Sequence, residues 1–179
     1  MIDQEILEER LAELPLYAYF FIDPKALEFT GRVRQVCRLE CPMYGKTWAC
    51  PPAVGSVENC RDRCLGYESC LMIATVTEVA DIADMEETLA TRADHESLTN
   101  QVREIFREMG LEPYILSTEA CAVCDRCAWL DGQPCRYPER MHPCLESHGI
   151  NLVPILEALG MEYQYGGNVV TWYSLLFFV

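Results

Sequence analysis

The sequence predicts an α/β layout of the α+β kind. One domain spans residues 1–179, with a mixed or mostly antiparallel sheet of about five strands, helices packed on it and two long cysteine-rich loops. Three observations predict it. The chain has 179 residues, 50% of them hydrophobic, enough for one sizeable core. Short aromatic and β-branched runs recur, each bounded by Pro, Gly or Asp, as strands are. Between them lie polar stretches carrying helix caps and stops.

Taken in order, residues 2–13 read as a short acidic helix stopped before Pro15. "LYAYFFI" (16–22), closed by Asp23-Pro24, reads as a buried strand. Residues 31–56 carry Cys, Pro and Gly with little regular periodicity and read as the first long loop. "SVENCRDRCLGY" (56–67) has Ser56 as a helix N-cap and Gly66 near its end. "SCLMIATV" (69–76) is the second strand; residues 81–109 read as helix, in two pieces around the polar "TRADHES", with Gly110 as the stop. In that polar stretch His95 reads as solvated. Asp81, Asp84, Glu86 and Glu87 read as an exposed helix start, where negative charge suits the dipole. "LEPYILST" (111–118) is a third strand that delivers the chain into "CAVCDRC". An irregular Cys/Pro/His stretch over 128–149, a helix near 151–159 and a hairpin in "MEYQYGGNVVTWYSLLFFV", turning at Gly166-Gly167-Asn168, complete the chain.

The formal charge of −14 argues against nucleic acid as a partner, because phosphate contacts need a positive face. The N-terminus has neither the basic nor the apolar region of an export signal. The longest apolar run, "YSLLFFV", is too short for a bilayer. A cytoplasmic protein is expected, with no membrane partner and an oligomeric state the sequence leaves open. In a reducing compartment, eleven cysteines at short spacings point to metal rather than disulfides.

Those cysteines fall mainly in two segments, 37–70 and 121–144. The second runs Cys121-x2-Cys124-x2-Cys127-x7-Cys135-x8-Cys144. Cys-x2-Cys-x2-Cys is the spacing with which a loop wraps three corners of an iron–sulfur cluster, and Cys135, after Pro134, is the expected fourth ligand. Zinc is the alternative: Cys121/Cys124 with Cys135/Cys144 would make a pair of knuckles, and His142 or His148 could serve. The first segment, "CRLECPMYGKTWACPP", gives Cys37, Cys41 and Cys50. Prolines after Cys41 and Cys50 keep those cysteines extended, so that the thiolates can point into a site. Tyr44 and Trp48 are flat covers for such a site or ordinary core. Three thiols are one short of a set. Cys60, Cys64, Cys70 and Cys144 are the candidates for the fourth, with Cys70 better read as a core residue of its strand. If none ligates, an iron is left open for substrate, with Arg38, Lys46 and Arg136 as candidate contacts.

Together, "CPMYGKTWACPP" and "CAVCDRC…PCRYPERMHP…ESHGINL" resemble a prokaryotic family of unknown function described as predicted metal-binding proteins, common in anaerobic bacteria and archaea. The resemblance covers the chain from about Cys37 to the last strand. It implies motif positions at Cys37, Cys41, Cys50, Cys121, Cys124, Cys127 and Cys135, with Pro138 and Glu139 after the last. Cys144 sits where that pattern more often has serine, and Cys60, Cys64 and Cys70 lie outside it.

The function expected is therefore that of a cysteine-ligated metalloprotein holding one or two [4Fe-4S] clusters. It would act in electron transfer with a redox partner protein. The alternatives are an enzyme with an open-site cluster and a structural zinc module. The "GKT" of "YGKTWA" lacks the upstream glycine of a phosphate loop and is read as chance.

Overall fold

The computed structural model describes residues 2–179. Helix α1 (Gln4–Leu11) is capped by Asp3, whose carboxylate accepts from the amide of Ile6. Strand β1 (Ala18–Ile22) follows, then the two-residue β2 (Glu28–Phe29) and helix α2 (Gly31–Leu39). Helix α3 (Val57–Leu65) starts at Ser56 and ends at Gly66, as its sequence predicts. Strand β3 (Ser69–Glu78), helices α4 (Met85–Ala90) and α5 (Arg92–Glu108), and strand β4 (Tyr114–Leu116) come next. The chain closes with β5 (Ile150–Asn151), α6 (Val153–Ala158) and β6 (Val169–Phe178).

The α+β expectation holds. The main sheet is antiparallel with order β1-β3-β6-β4, and β2 pairs with β5 in a separate two-stranded piece. It has four strands, fewer than expected, because residues 161–165 form no strand. The foreseen C-terminal hairpin is absent, and β6 instead pairs along its whole length with β3. Strands β3 and β6 are central and covered on both faces, which is why their sequences are near-continuous apolar runs. Cys70, Met72 and Ala74 of β3, with Tyr173, Leu175 and Phe177 of β6, face one core, joined by Cys64, Leu145 and Leu156. Leu71, Ile73, Leu176 and Phe178 face the other, against Leu7 and Leu11 of α1 and Val102 and Phe106 of α5.

Helix α2 lies inside the segment read as irregular. Its sequence, GRVRQVCRL, sets Val33, Val36 and Cys37 at helical spacing, a signal too short to stand out among the Cys and Pro, and buries only Cys37; Thr30 caps its start by accepting from the amide of Arg32. What holds it is a close backbone approach. The Thr30 amide donates to the Gly149 carbonyl at 2.7 Å. Gly149 has φ +74°, and a Cβ there would stand 2.9 Å from the Thr30 carbonyl oxygen. Only glycine supplies that φ without strain and lets the two segments meet.

The second such junction is at the end of β4. The Ser117 amide donates to the Pro143 carbonyl (2.8 Å), and the Leu145 amide donates to the Ser117 carbonyl (3.3 Å). Residues 143–145 therefore run beside the point where the chain leaves the sheet for "CAVCDRC".

Candidate metal centre

Both junctions serve the cysteines. Cys37 on α2, Cys41 and Cys50 on the loop after it, and Cys144 beside the end of β4 line one cavity of about 200 Å³, together with Tyr44, Pro51, Glu119 and Glu146. Cys121, Cys124, Cys127 and Cys135 line a second, smaller cavity of about 20 Å³ with Trp48, Tyr137 and Met141. All eleven cysteines are free thiols. Among the described residues, no three Cys, His, Asp or Glu side chains converge on a point where one ion would sit. The sulfurs ring the cavities instead.

The remaining cysteines are elsewhere. Cys60 and Cys64 are buried on α3, and Cys60 Sγ donates to the Val54 carbonyl at 3.4 Å. Cys70 is fully buried in the core, as expected of its strand. His148 is buried against Tyr114, its Nε2 2.7 Å from the phenol oxygen, and lines neither cavity. His142 lines a separate groove with Arg103 and Glu112. Of the cations considered as substrate contacts, Arg136 is turned back on its own loop, donating to the Arg126 carbonyl at 2.8 Å.

The two cavities are neighbours. Trp48, from the first cysteine segment, donates through Nε1 to the Gln133 carbonyl at 3.0 Å. Trp129, from the second, donates to the Gly45 carbonyl at 2.9 Å. Their rings meet edge to face, centroids 4.7 Å apart. Each segment thus inserts a tryptophan into the other. Cys50 lies close enough to Cys121 and Cys127 to feel their charge as well as that of Cys41.

Burial raises three thiols of the first group. It pushes Cys37 up to about 11, with repulsion from Glu146, Cys41 and Cys50 adding to it. Desolvation also raises Cys50 and, most strongly, Cys144. In the second group desolvation raises Cys121, with Cys135, Cys127 and Cys124 repelling its thiolate. Glu146 is hemmed in by protein on the cavity wall while water still reaches it. Its carboxyl is raised by desolvation, and Glu119 opposes its charge. Four thiolates cannot share such a space unless a cationic group neutralises them.

As donor sets, both groups fit a thiolate-bound metal or cluster. The first cavity has room within it. The second encloses about the space of one water, so its walls must spread on loading. Of those walls, Cys121, Val123, Cys124 and Cys127 belong to a stretch (119–127) with neither helix nor strand, whose shift would leave the sheet's pairing intact.

Sequence reasoning left the fourth thiol of the first group open among four cysteines. The pairing of residues 143–145 with Ser117, a non-local contact, brings Cys144 there. It also treated His95 as solvated, and this is overturned. His95 is 1% exposed, with Nδ1 2.8 Å from Thr75 Oγ1 and Nε2 2.7 Å from Ser174 Oγ. Its place at i, i+4, i+7 with buried Thr99 and Val102 was the signal that it faces the core.

No helix is long and apolar enough to cross a membrane among the described residues. No curated protein and no solved structure gives a match to this chain. A family model does, over residues 20–178, which takes in both cysteine segments and the whole sheet. The chain belongs to the family described as "Predicted metal-binding protein (DUF2284)".

Proposed function

We propose that the protein carries two iron–sulfur clusters of the [4Fe-4S] type and passes electrons between them and a partner protein. The observation that carries this reading is the sorting of eight thiols into two neighbouring sets of four. Cys37, Cys41, Cys50 and Cys144 would hold one cluster, and Cys121, Cys124, Cys127 and Cys135 the other. In the first set, thiols spread around a cavity of about 200 Å³ suit a polynuclear group better than a single zinc, whose four ligands meet at one centre; in the second, the Cys-x2-Cys-x2-Cys spacing supports the same reading. When bound, such groups supply one-electron transfer.

The chain's own residues do the rest. Pro42, Pro51 and Pro134 hold the cysteines beside them extended or turned. Trp48 and Trp129 clamp the two loops together and shield the space between them from water. The net charge of −14 suits docking on a basic redox partner in the cytoplasm.

The test is a count on protein purified without oxygen: visible spectrum, iron, zinc and acid-labile sulfide. About eight irons and eight sulfides per chain are expected, with about half lost in Cys144→Ser and in Cys135→Ser and none in Cys60→Ala. A colourless protein holding zinc and no sulfide would overturn the redox reading.

A further inference from the structure

Against the far side of the first thiol cavity lies a second, wider cleft of about 560 Å³. Tyr44 and Pro51 line both spaces, so one wall separates them. The cleft is lined by two arginines and no carboxylate, in a chain that has 28 acidic residues and 14 basic ones. Arg34 and Arg38 are one helical turn apart on α2, on the same face, with Cys37 between them in sequence.

The ion pairs among the described residues engage Arg10, Arg61, Arg92, Arg103, Arg107 and Arg126. Arg34 and Arg38 take part in none. Arg34 is fixed in place: Nη1 donates to the Gly55 carbonyl at 2.8 Å, Nη2 stands 3.6 Å from Cys60 Sγ, and Nε is buried with no partner. No carboxylate among the described residues reaches it within ion-pair distance, and Glu58, which feels its charge, is outside the cleft lining. Arg38 is exposed.

Two nine-residue helices also begin at this cleft. Gly31 is the first residue of α2 and Ser56 the N-cap of α3, so the positive ends of both dipoles add to the two guanidinium charges. Ser56 Oγ accepts from the Asn59 amide at 3.1 Å, which fixes the start of α3 at the cleft.

We infer that this cleft binds a small anion, a carboxylate or phosphate compound, placing it against the wall of the Cys37/Cys41/Cys50/Cys144 cavity. Guanidinium forks match both groups bidentately, and none of the residues lining the cleft carries negative charge. The ligand would be a substrate or effector of the group those thiols hold. That role rests on the metal reading; binding itself does not.

The probes are oxalate and inorganic phosphate, titrated calorimetrically at constant ionic strength into the protein as purified and again after its metal is removed. Saturable binding of one of them is expected, weakened at least about tenfold in Arg38→Gln, the loss of one charge-assisted pair. Arg32→Gln, on the same helix but outside the cleft, should leave it unchanged. Arg38 is exposed, so its replacement does not threaten folding, and a melting curve checks this. No saturable binding of either probe, or equal weakening by Arg32→Gln and Arg38→Gln, overturns the inference. Arginine-dependent binding by a chain that holds no iron would keep the cleft and sink the cluster reading.

Discussion

His95 shows what one buried titratable group contributes. Burial and the nearby Arg92 lower its pKa from 6.5 to about 4, so in the folded chain it is neutral and bonded to Thr75 and Ser174. Ser174 continues the network to Thr99 (3.1 Å) and Ser117 (3.0 Å), and Ser117 donates to Glu96. A folded pKa below the unfolded value means that unfolding takes up a proton in acid. The stabilisation is fully present above pH 6.5 and is lost as pH falls towards 4, by about 3 kcal/mol in all. Urea unfolding of wild type and His95→Gln from pH 7.5 to 4 should show the difference between them shrinking or reversing as pH falls. A constant difference would mean that His95 titrates normally. The polar letters around His95 hid its burial from the sequence, because a satisfied polar core residue looks like a surface one until its partners are known.

At the scale of elements, caps were legible and long-range contacts were not. Ser56 and Gly66 mark both ends of α3 in the sequence because the serine oxygen and the glycine backbone amide both act within four residues. Helix α2 and the two-residue strands β2 and β5 depend on the Thr30–Gly149 approach, over a hundred residues apart, which no local pattern encodes. Gly149 is the test of that joint. Gly149→Ala combines a left-handed backbone with a clash against a carbonyl oxygen that cannot rotate away, and should cost about 2 kcal/mol or more. Gly160, at φ +68° but with open space around it, should cost only the backbone strain, about 1 kcal/mol. Denaturation midpoints of the two variants check the contrast. Equal losses would mean that the approach of α2 to residue 149 carries no weight.

Across the whole molecule, the structural core and the thiol cavities are separate. The two apolar clusters draw on β3, β6, α1, α5 and α6, and none of the eight cavity cysteines belongs to either. Both spacing patterns and the expectation that Cys135 joins Cys121, Cys124 and Cys127 came from local sequence; the sorting into two sets needed the fold, because Cys144 is brought to its neighbours by its bridge to Ser117. Stripping the metal should therefore leave the sheet folded, unlike small domains that fold only around their ion. Far-ultraviolet circular dichroism of the stripped protein should stay close to that of the loaded one. Limited proteolysis should become faster within 40–56 and 119–144 alone. Global loss of signal would mean that the bound metal, not the apolar layers, holds the chain together.

The tryptophan pair gives the molecule an optical property of its own. Trp48 and Trp129 sit edge to face across the joint between the loops, while Trp172 is far off in the sheet, bonded to Thr91 at 2.8 Å. Two indoles that close couple their excited states, and Trp48 stands on the wall of the second thiol cavity, where a coloured group would drain its emission. Emission from this pair therefore reads, without any label, whether the two loops are closed and filled, over the separate contribution of Trp172 in the sheet.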